Sequence, residues 1–386
     1  LNSFYKEHYG DYEDPLIALN VHVDGLYSYQ SLLYIPAHAP YDLYSESYEK
    51  GLDLYSRGIF IQEKCKDLIP NHLRFVKGLV DSDDFPLNVS REMLQKTPEM
   101  AKIAKNIESK IIAELKKTKN NDKEKYQKFY DSFGEFLKFG IYSSYGMKKD
   151  ELQDLLIFHH LNGDEMISLK EYVDAMKEGQ KDIYFASGKS LEEIKLLPQL
   201  EGKRKEGVDV LLLDKNIDEF CLMSMHDYSE KEFKDVSSEE VIAKEEEKKK
   251  VEQLTSDHKH LLDDLKEGLG SKVDDVIISS KLVDSPVCLS TKDGISMNAE
   301  RVLKEEPGDF ADSVSSKKVL ELNPEHPLFE ALTSLEGDDA VKDYASILYD
   351  EAMLLQGYQI EDKAGFVAGL NKLLIYFRWA DMRSFL

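Results

Sequence analysis

Residues 183–225 switch between strand and helix periodicity, and this alternation restricts the fold more than any other feature of the chain. Ile183–Ala186 reads as a short strand, Leu191–Lys205 as a helix, Val208–Leu213 as a continuous apolar strand and Ile217–Met225 as a second helix. Apart from Asp209 this last strand is apolar at every position and leaves little solvent face, so it belongs in a parallel sheet covered on both sides. The β-α-β-α order therefore predicts a small sheet dressed with helices.

The flanking segments continue the pattern. Val21–Leu33, Leu54–Phe60 and Leu73–Val80 are three apolar segments in a larger α/β unit. Thr97-Pro98 is a helix start, threonine as N-cap and proline in the first turn. Met100, Ile103, Ala104, Ile107, Ile111 and Leu115 then follow at helical spacing. Lys123–Phe139 and Glu151–Leu161 predict further amphipathic helices, and Ser168 with Glu171 forms a capping box for a helix through Met176. Ser237–Gly268, with the run Glu245–Lys250, predicts one long solvated linking helix at a domain boundary. Beyond it lie short strands at Val276–Ser279, Val287–Ser290 and Val319–Leu322, then helices at Ala340–Gln356 and Asp362–Phe377.

The expected fold class is α/β (α+β). Residues 1–245 form one domain of α/β/α sandwich units: a larger unit at 1–140, a helical segment at 97–178 and a smaller unit at 179–236. A small mixed α/β domain at 246–386 ends in the helix pair. That pair carries Ile347, Leu348, Met353, Leu354, Leu355, Phe366, Leu370, Leu373 and Leu374, more apolar surface than a helical hairpin buries by itself. Either a dimer interface or the small sheet of the same subunit must cover it.

Charge excludes two classes of partner. A net charge of -24 over 386 residues opposes binding to nucleic acid and to anionic membrane surfaces, both of which select lysine and arginine. Cys65, Cys221 and Cys288 are widely separated and show no zinc spacing, so they read as buried thiols of a reducing compartment. With no signal peptide or membrane-length apolar run, the expectation is a soluble, cytoplasmic protein. Leu1 opens the chain in mid-pattern, which suggests a fragment.

Several motifs fail on inspection. Gly188-Lys189-Ser190 lacks the first glycine of a phosphate-binding loop, because Ile183 stands there. Residues 162–165 resemble a calcium loop, but Phe158 and His160 occupy ligand positions and Leu169 replaces the closing glutamate. His159-His160 has no third ligand at metal spacing, and no metal site is expected. No self-sufficient catalytic constellation emerges. What remains is Arg91, at the start of a helix capped by Ser90, with Gln95 one turn on. The positive end of the helix dipole disfavours a cation there. Two partners could compensate: an anionic phosphate outside the helix, or the acidic loop Asp81-Ser82-Asp83-Asp84.

The segment FVKGLVDSDDFPLNVSREMLQ at 75–95, with LLYIPAHAPYDLY at 32–44 and FIQEKCKDLIPNHLRF at 60–75, closely resembles the middle domain of the heat-shock protein 90 chaperones, in their bacterial form. KEGQKDIYF, GVDVLLL, NIDEF and LELNPEHPL extend the resemblance along nearly the whole chain. It implies a middle domain followed by a C-terminal dimerisation domain, with the family's N-terminal ATP-binding domain absent. Arg91 would then reach the γ-phosphate of ATP held with Mg2+ by that domain, supported by Gln95. No nucleotide is expected on this chain alone, which should be inactive as an ATPase. The resemblance further implies client contacts at Tyr41, Leu43 and Tyr44, at the acidic–aromatic pair Glu219 and Phe220, and at Ile295, Val302 and Leu303. Phe220 replaces a tryptophan of the bacterial relatives. Leu348, Leu355, Phe366, Leu370 and Leu374 are the implied dimer contacts. The implied function is a chaperone that couples ATP hydrolysis to remodelling of client proteins. The alternative is a nucleotide-independent holdase or dimeric interaction scaffold.

Overall fold

A computed structural model describes residues 1–25, 27–45, 47–85, 97–238, 245–292, 294–305, 314–335 and 340–384. They divide into two compact units, residues 1–157 with 168–170, and residues 158–167 with 171 onward.

The first unit begins with α1 (Asn2–Tyr9) and a five-stranded sheet of β1 (Ile17–Val23), β2 (Tyr29–Ile35), β3 (Leu52–Ser56), β4 (Ile59–Cys65) and β5 (Lys77–Asp81), in the order β1-β2-β5-β3-β4. Only β3 and β5 run parallel. Two of the three apolar segments span hairpins. Val21–Leu33 folds back between β1 and β2, where Ile17 pairs with Ile35. Leu54–Phe60 turns at Arg57-Gly58, whose φ values of 53° and 74° fit a tight two-residue hairpin turn. The turn residues were embedded in apolar neighbours, which masked the break.

Helices α2 (Pro98–Asn121) and α3 (Lys123–Ser143) follow. Thr97 caps α2 as expected, its hydroxyl accepting from the Met100 N–H at 3.3 Å. Asp122 ends α2 and starts α3, accepting from the Lys125 N–H at 3.0 Å. The aromatic face of α3 closes on Phe75, whose ring stacks on Phe133 at 4.5 Å and meets Phe129 at 5.7 Å. The expected helix Glu151–Leu161 is mostly something else. Only α4 (Lys149–Leu152) and a 3-10 turn form, and Ile157–His160 is strand β6.

The second unit continues through β7 (Ile167–Ser168), α5 (Leu169–Asp174), β8 (Ile183–Ser187), α6 (Leu191–Lys195), α7 (Glu201–Glu206), β9 (Leu211–Leu213), α8 (Asn216–Met225), β10 (Asp227–Tyr228) and β11 (Lys231–Asp235). Its larger sheet has the order β10-β11-β8-β9-β6-β7. Strands β11, β8 and β9 are parallel, so the α/β reading holds. The expected helix Leu191–Lys205 is broken by Pro198, which opens a 3-10 turn between α6 and α7.

The chain then forms α9 (Glu245–Asp257), α10 (Lys259–Leu269), β12 (Asp275–Ile278), β13 (Val287–Thr291), α11 (Met297–Glu305), β14 (Lys318–Leu322), α12 (Pro327–Thr333), α13 (Ala340–Leu355) and α14 (Lys363–Ser384). The small sheet has β14 in the centre, parallel to β12 and antiparallel to β13. The expected linking helix at 237–268 is corrected here. It breaks at His258, and α10 is a core helix that buries Leu261, Leu262, Leu265 and Leu269 against Val276, Leu289, Leu320 and Leu348. Its charged neighbours set the composition, but the apolar residues recur on one face.

Polar contacts join the two sheets of this unit. The Glu201 carboxylate accepts from the N–H groups of Val283, Asp284 and Ser285 at 2.7, 2.8 and 3.2 Å, and from Ser285 Oγ at 2.5 Å. Gln199 Nε2 donates to the Leu289 carbonyl at 2.6 Å. A Cβ on Gly202 would lie 2.8 Å from the Lys281 carbonyl, so only glycine permits this approach.

Candidate client-binding cleft

Helix α8 shapes the site. It begins at Lys215, where the Asp218 carboxylate accepts from the Lys215 N–H at 3.3 Å. It ends at His226, whose φ of 64° turns the chain into β10. Leu222 and Cys221 are buried on its inner side, while Met223 is 44% exposed. Between α8, the ends of β8 and β11 and the loop before α11 lies a cleft of about 450 Å³. Phe185, Leu222, Met223 and Phe233 give it apolar walls, and Glu219 and Asp235 line it as well.

The two carboxylates are held by neutral donors. Glu219 Oε2 accepts from Ser187 Oγ at 2.9 Å and from Asn298 Nδ2 at 3.3 Å. Asp235 accepts from the Ser237 N–H at 2.8 Å and from Ser237 Oγ at 2.7 Å. Desolvation, and then the neighbouring charge of Glu219, push the Asp235 carboxyl up to about 7. The surrounding cations are engaged with other carboxylates: Lys281 with Glu321 at 2.8 Å, Lys234 with Glu232 at 3.1 Å, and Arg301 with Glu305 at 2.9 Å. Lys281 lowers Asp235 less than the hydrogen bonds from Ser237 do.

A second apolar surface lies on the closing helices. Leu354 is 50%, Val367 54%, Leu370 38% and Ile375 60% exposed. No helix among the described residues is long and apolar enough to cross a membrane, and no group of three or more potential metal ligands occurs among them.

The Hsp90 protein family model matches residues 1–377. The chain belongs to the Hsp90 family. It is 45% identical over 375 residues to a chaperone protein HtpG of Clostridium perfringens, covering 97% of this chain and 60% of that protein. An HtpG of Clostridium acetobutylicum is 43% identical over 375 residues, again 97% of this chain and 60% of its own length. That of Bacillus subtilis is 42% identical over 376 residues, 96% and 60% respectively. The chain thus spans about three fifths of the length of these relatives.

The Hsp90 site residues expected from the sequence fall in several settings. Arg91 and Gln95 lie outside the described residues, between Phe85, which is buried, and the cap of α2. Tyr41 is fully exposed, and Tyr44 is 62% exposed with its ring stacked on Phe136 at 5.0 Å. Leu43, expected beside them, points inward and is fully buried, because the 40–45 turn uses it as its core anchor. Glu219 lines the cleft, and Phe220 is half-buried on the same helix. Ile295 and Leu303 are half-buried, but Val302 is buried: α11 lies against α8 instead of projecting, and Asn298 and Arg301 bond to Glu219 and Asn216. Leu348 is a core residue under the small sheet, whereas Leu355, Phe366 and Leu370 keep partial or full exposure. The side chain of Leu374 is outside the described set. Phe233 and Asp235 are among the cleft residues the sequence did not signal. They sit on β11, which the sheet order places next to β8.

Proposed function

We propose that this Hsp90 chain binds partly folded client proteins through the cleft on α8 and joins a second copy through α13 and α14. In the whole protein, ATP hydrolysis would drive client remodelling in the cytoplasm. The cleft carries the reading: an open hollow with apolar walls suits extended, varied segments, and the exposed Met223 adapts its shape to different partners. Exposed Tyr41 and Tyr44 add a second contact surface. The domain limits expected from the sequence, 1–245 and 246–386, would divide the second compact unit between its two sheets.

The sequence candidate for a phosphate cradle does not fit a nucleotide. The Gly188 N–H donates to the Leu213 carbonyl at 3.2 Å, and Ser190 Oγ accepts from the Glu193 N–H at 3.2 Å. No step on ATP follows from the described residues. Arg91, with Gln95 beside it, would act on a nucleotide held elsewhere, lending charge to the γ-phosphate. With the ATP-binding domain of a relative joined to the chain, Arg91→Ala should cut ATP turnover at least about tenfold. Unchanged turnover would remove Arg91 from that role.

Aggregation of a heat-unfolded model enzyme, followed by light scattering, tests the client reading. The chain should suppress it, and Met223→Ser should weaken suppression. Equal protection by the variant would move the client surface elsewhere. Full protection of the same enzyme by the whole protein with and without ATP would favour a holdase.

A further inference from the structure

We infer that the α8 cleft selects client segments in which a lysine or arginine is flanked by apolar residues, the cation seating against Glu219 and Asp235. This rests on the client-binding reading and adds the chemistry of the ligand. Glu219 and Asp235 line the cleft beside Phe185, Leu222, Met223 and Phe233, so acidic and apolar groups meet in one lining, which a purely hydrophobic segment does not need. Two neighbouring carboxylates in one partly buried site are unfavourable unless one keeps a proton or a cation joins them, and above the raised Asp235 value the cation is what remains. Here the bonded partners are the neutral donors Ser187, Asn298 and Ser237. The nearby cations Lys281, Lys234 and Arg301 already face Glu321, Glu232 and Glu305.

Among the described residues neither carboxylate is bonded to a cation. Asp235 keeps partial exposure where it lines the cleft, so an entering side chain can reach it. Lysine and arginine fit both parts of the site. Their methylene stems would lie along Met223 and Phe233, and their charged ends would meet Asp235, with the charge of the buried Glu219 behind it. The hydrogen bonds formed would be charge-assisted, the stronger kind. His226 and Lys234 at the rim do not reverse this preference, since Lys234 is paired and His226 stands at the end of the helix.

Fluorescence anisotropy with short fluorescein-labelled peptides tests the inference on the full chain at pH 8 and constant salt. One peptide carries arginine between leucine and valine; two others carry glutamine or glutamate in its place. The arginine peptide should bind at least about tenfold more tightly than the glutamine peptide, with the glutamate peptide weakest. Asp235→Asn should shrink the arginine-to-glutamine ratio to less than about threefold. Met223→Ser should weaken the arginine and glutamine peptides alike and keep their ratio. Equal binding of arginine and glutamine peptides, or an undiminished ratio in Asp235→Asn, would overturn the charge selection while leaving client binding intact. If none of the peptides binds, the client reading fails with it.

Discussion

Asp235 shows how a single residue can be set by its surroundings. Its carboxyl is raised to about 7 by burial and by Glu219, so the folded state holds its proton more tightly than the unfolded chain does. A raised acid contributes stability that is present at low pH and lost as pH rises through the folded value. Asp235→Asn removes the ionised form altogether. The variant should therefore melt above the wild type at pH 8, and its advantage should shrink by on the order of 2 kcal/mol by pH 5.5. Thermal melts at the two values check this, and an advantage independent of pH would contradict it. Glu300 is the opposite case. Desolvation alone would raise it, but Lys304, Ser316 and Lys318 hold it down to about 2, so it stays ionised across the same range. Neither behaviour was legible in the sequence, because each depends on burial and on groups of other elements that the fold brings beside the carboxyl.

At the scale of elements, the sequence reading succeeded where one local pattern dominated. The Thr97-Pro98 cap, the strand at 183–187, α8 and the three strands of the small sheet all form where they were expected. It failed where a short break was hidden in a uniform run: Arg57-Gly58 among apolar residues, Pro198 within a helical pattern, His258 inside a charged stretch. One of these breaks, at Pro198, shapes the joint between the two sheets of the second unit. Pro198 frees the turn that presents Gln199 and Glu201, and the Glu201 carboxylate then gathers three amides of the 283–285 loop. Glu201→Ala leaves those donors without their acceptor, which costs about 1–3 kcal/mol. The expected outcome is a lower urea midpoint with faster amide exchange at Val283–Ser285. Unchanged exchange there would show that water replaces the carboxylate at no cost.

The whole-molecule prediction concerns the closing helices. Leu348 and Ala345 of α13 serve the core with Leu265 and Leu320, so one face of the pair is used within the chain. Leu354, Val367, Leu370 and Ile375 remain on the other face. Exposed apolar residues gathered on two adjacent helices are a natural two-fold contact. Light scattering at micromolar concentration should give the mass of a dimer, and Val367→Glu with Leu370→Glu should give that of a monomer. A monomeric wild type would contradict the reading.

The sequence by itself determined the Hsp90 family, the α/β class and most helix and strand positions, because caps, periodicity and long motifs are local properties of the chain. It also singled out Glu219 and Phe220 as neighbours on one helix. Only the tertiary structure decided which apolar residues are core and which are surface: Leu43, Val302 and Leu348 are buried, Met223 and Leu354 are not. Only it placed Asp235 opposite Glu219, since β11 lies next to β8 through a parallel pairing that periodicity does not encode. The cleft, its charge and the joint at Glu201 arise from contacts between distant segments, where burial and electrostatics are properties of the assembled whole.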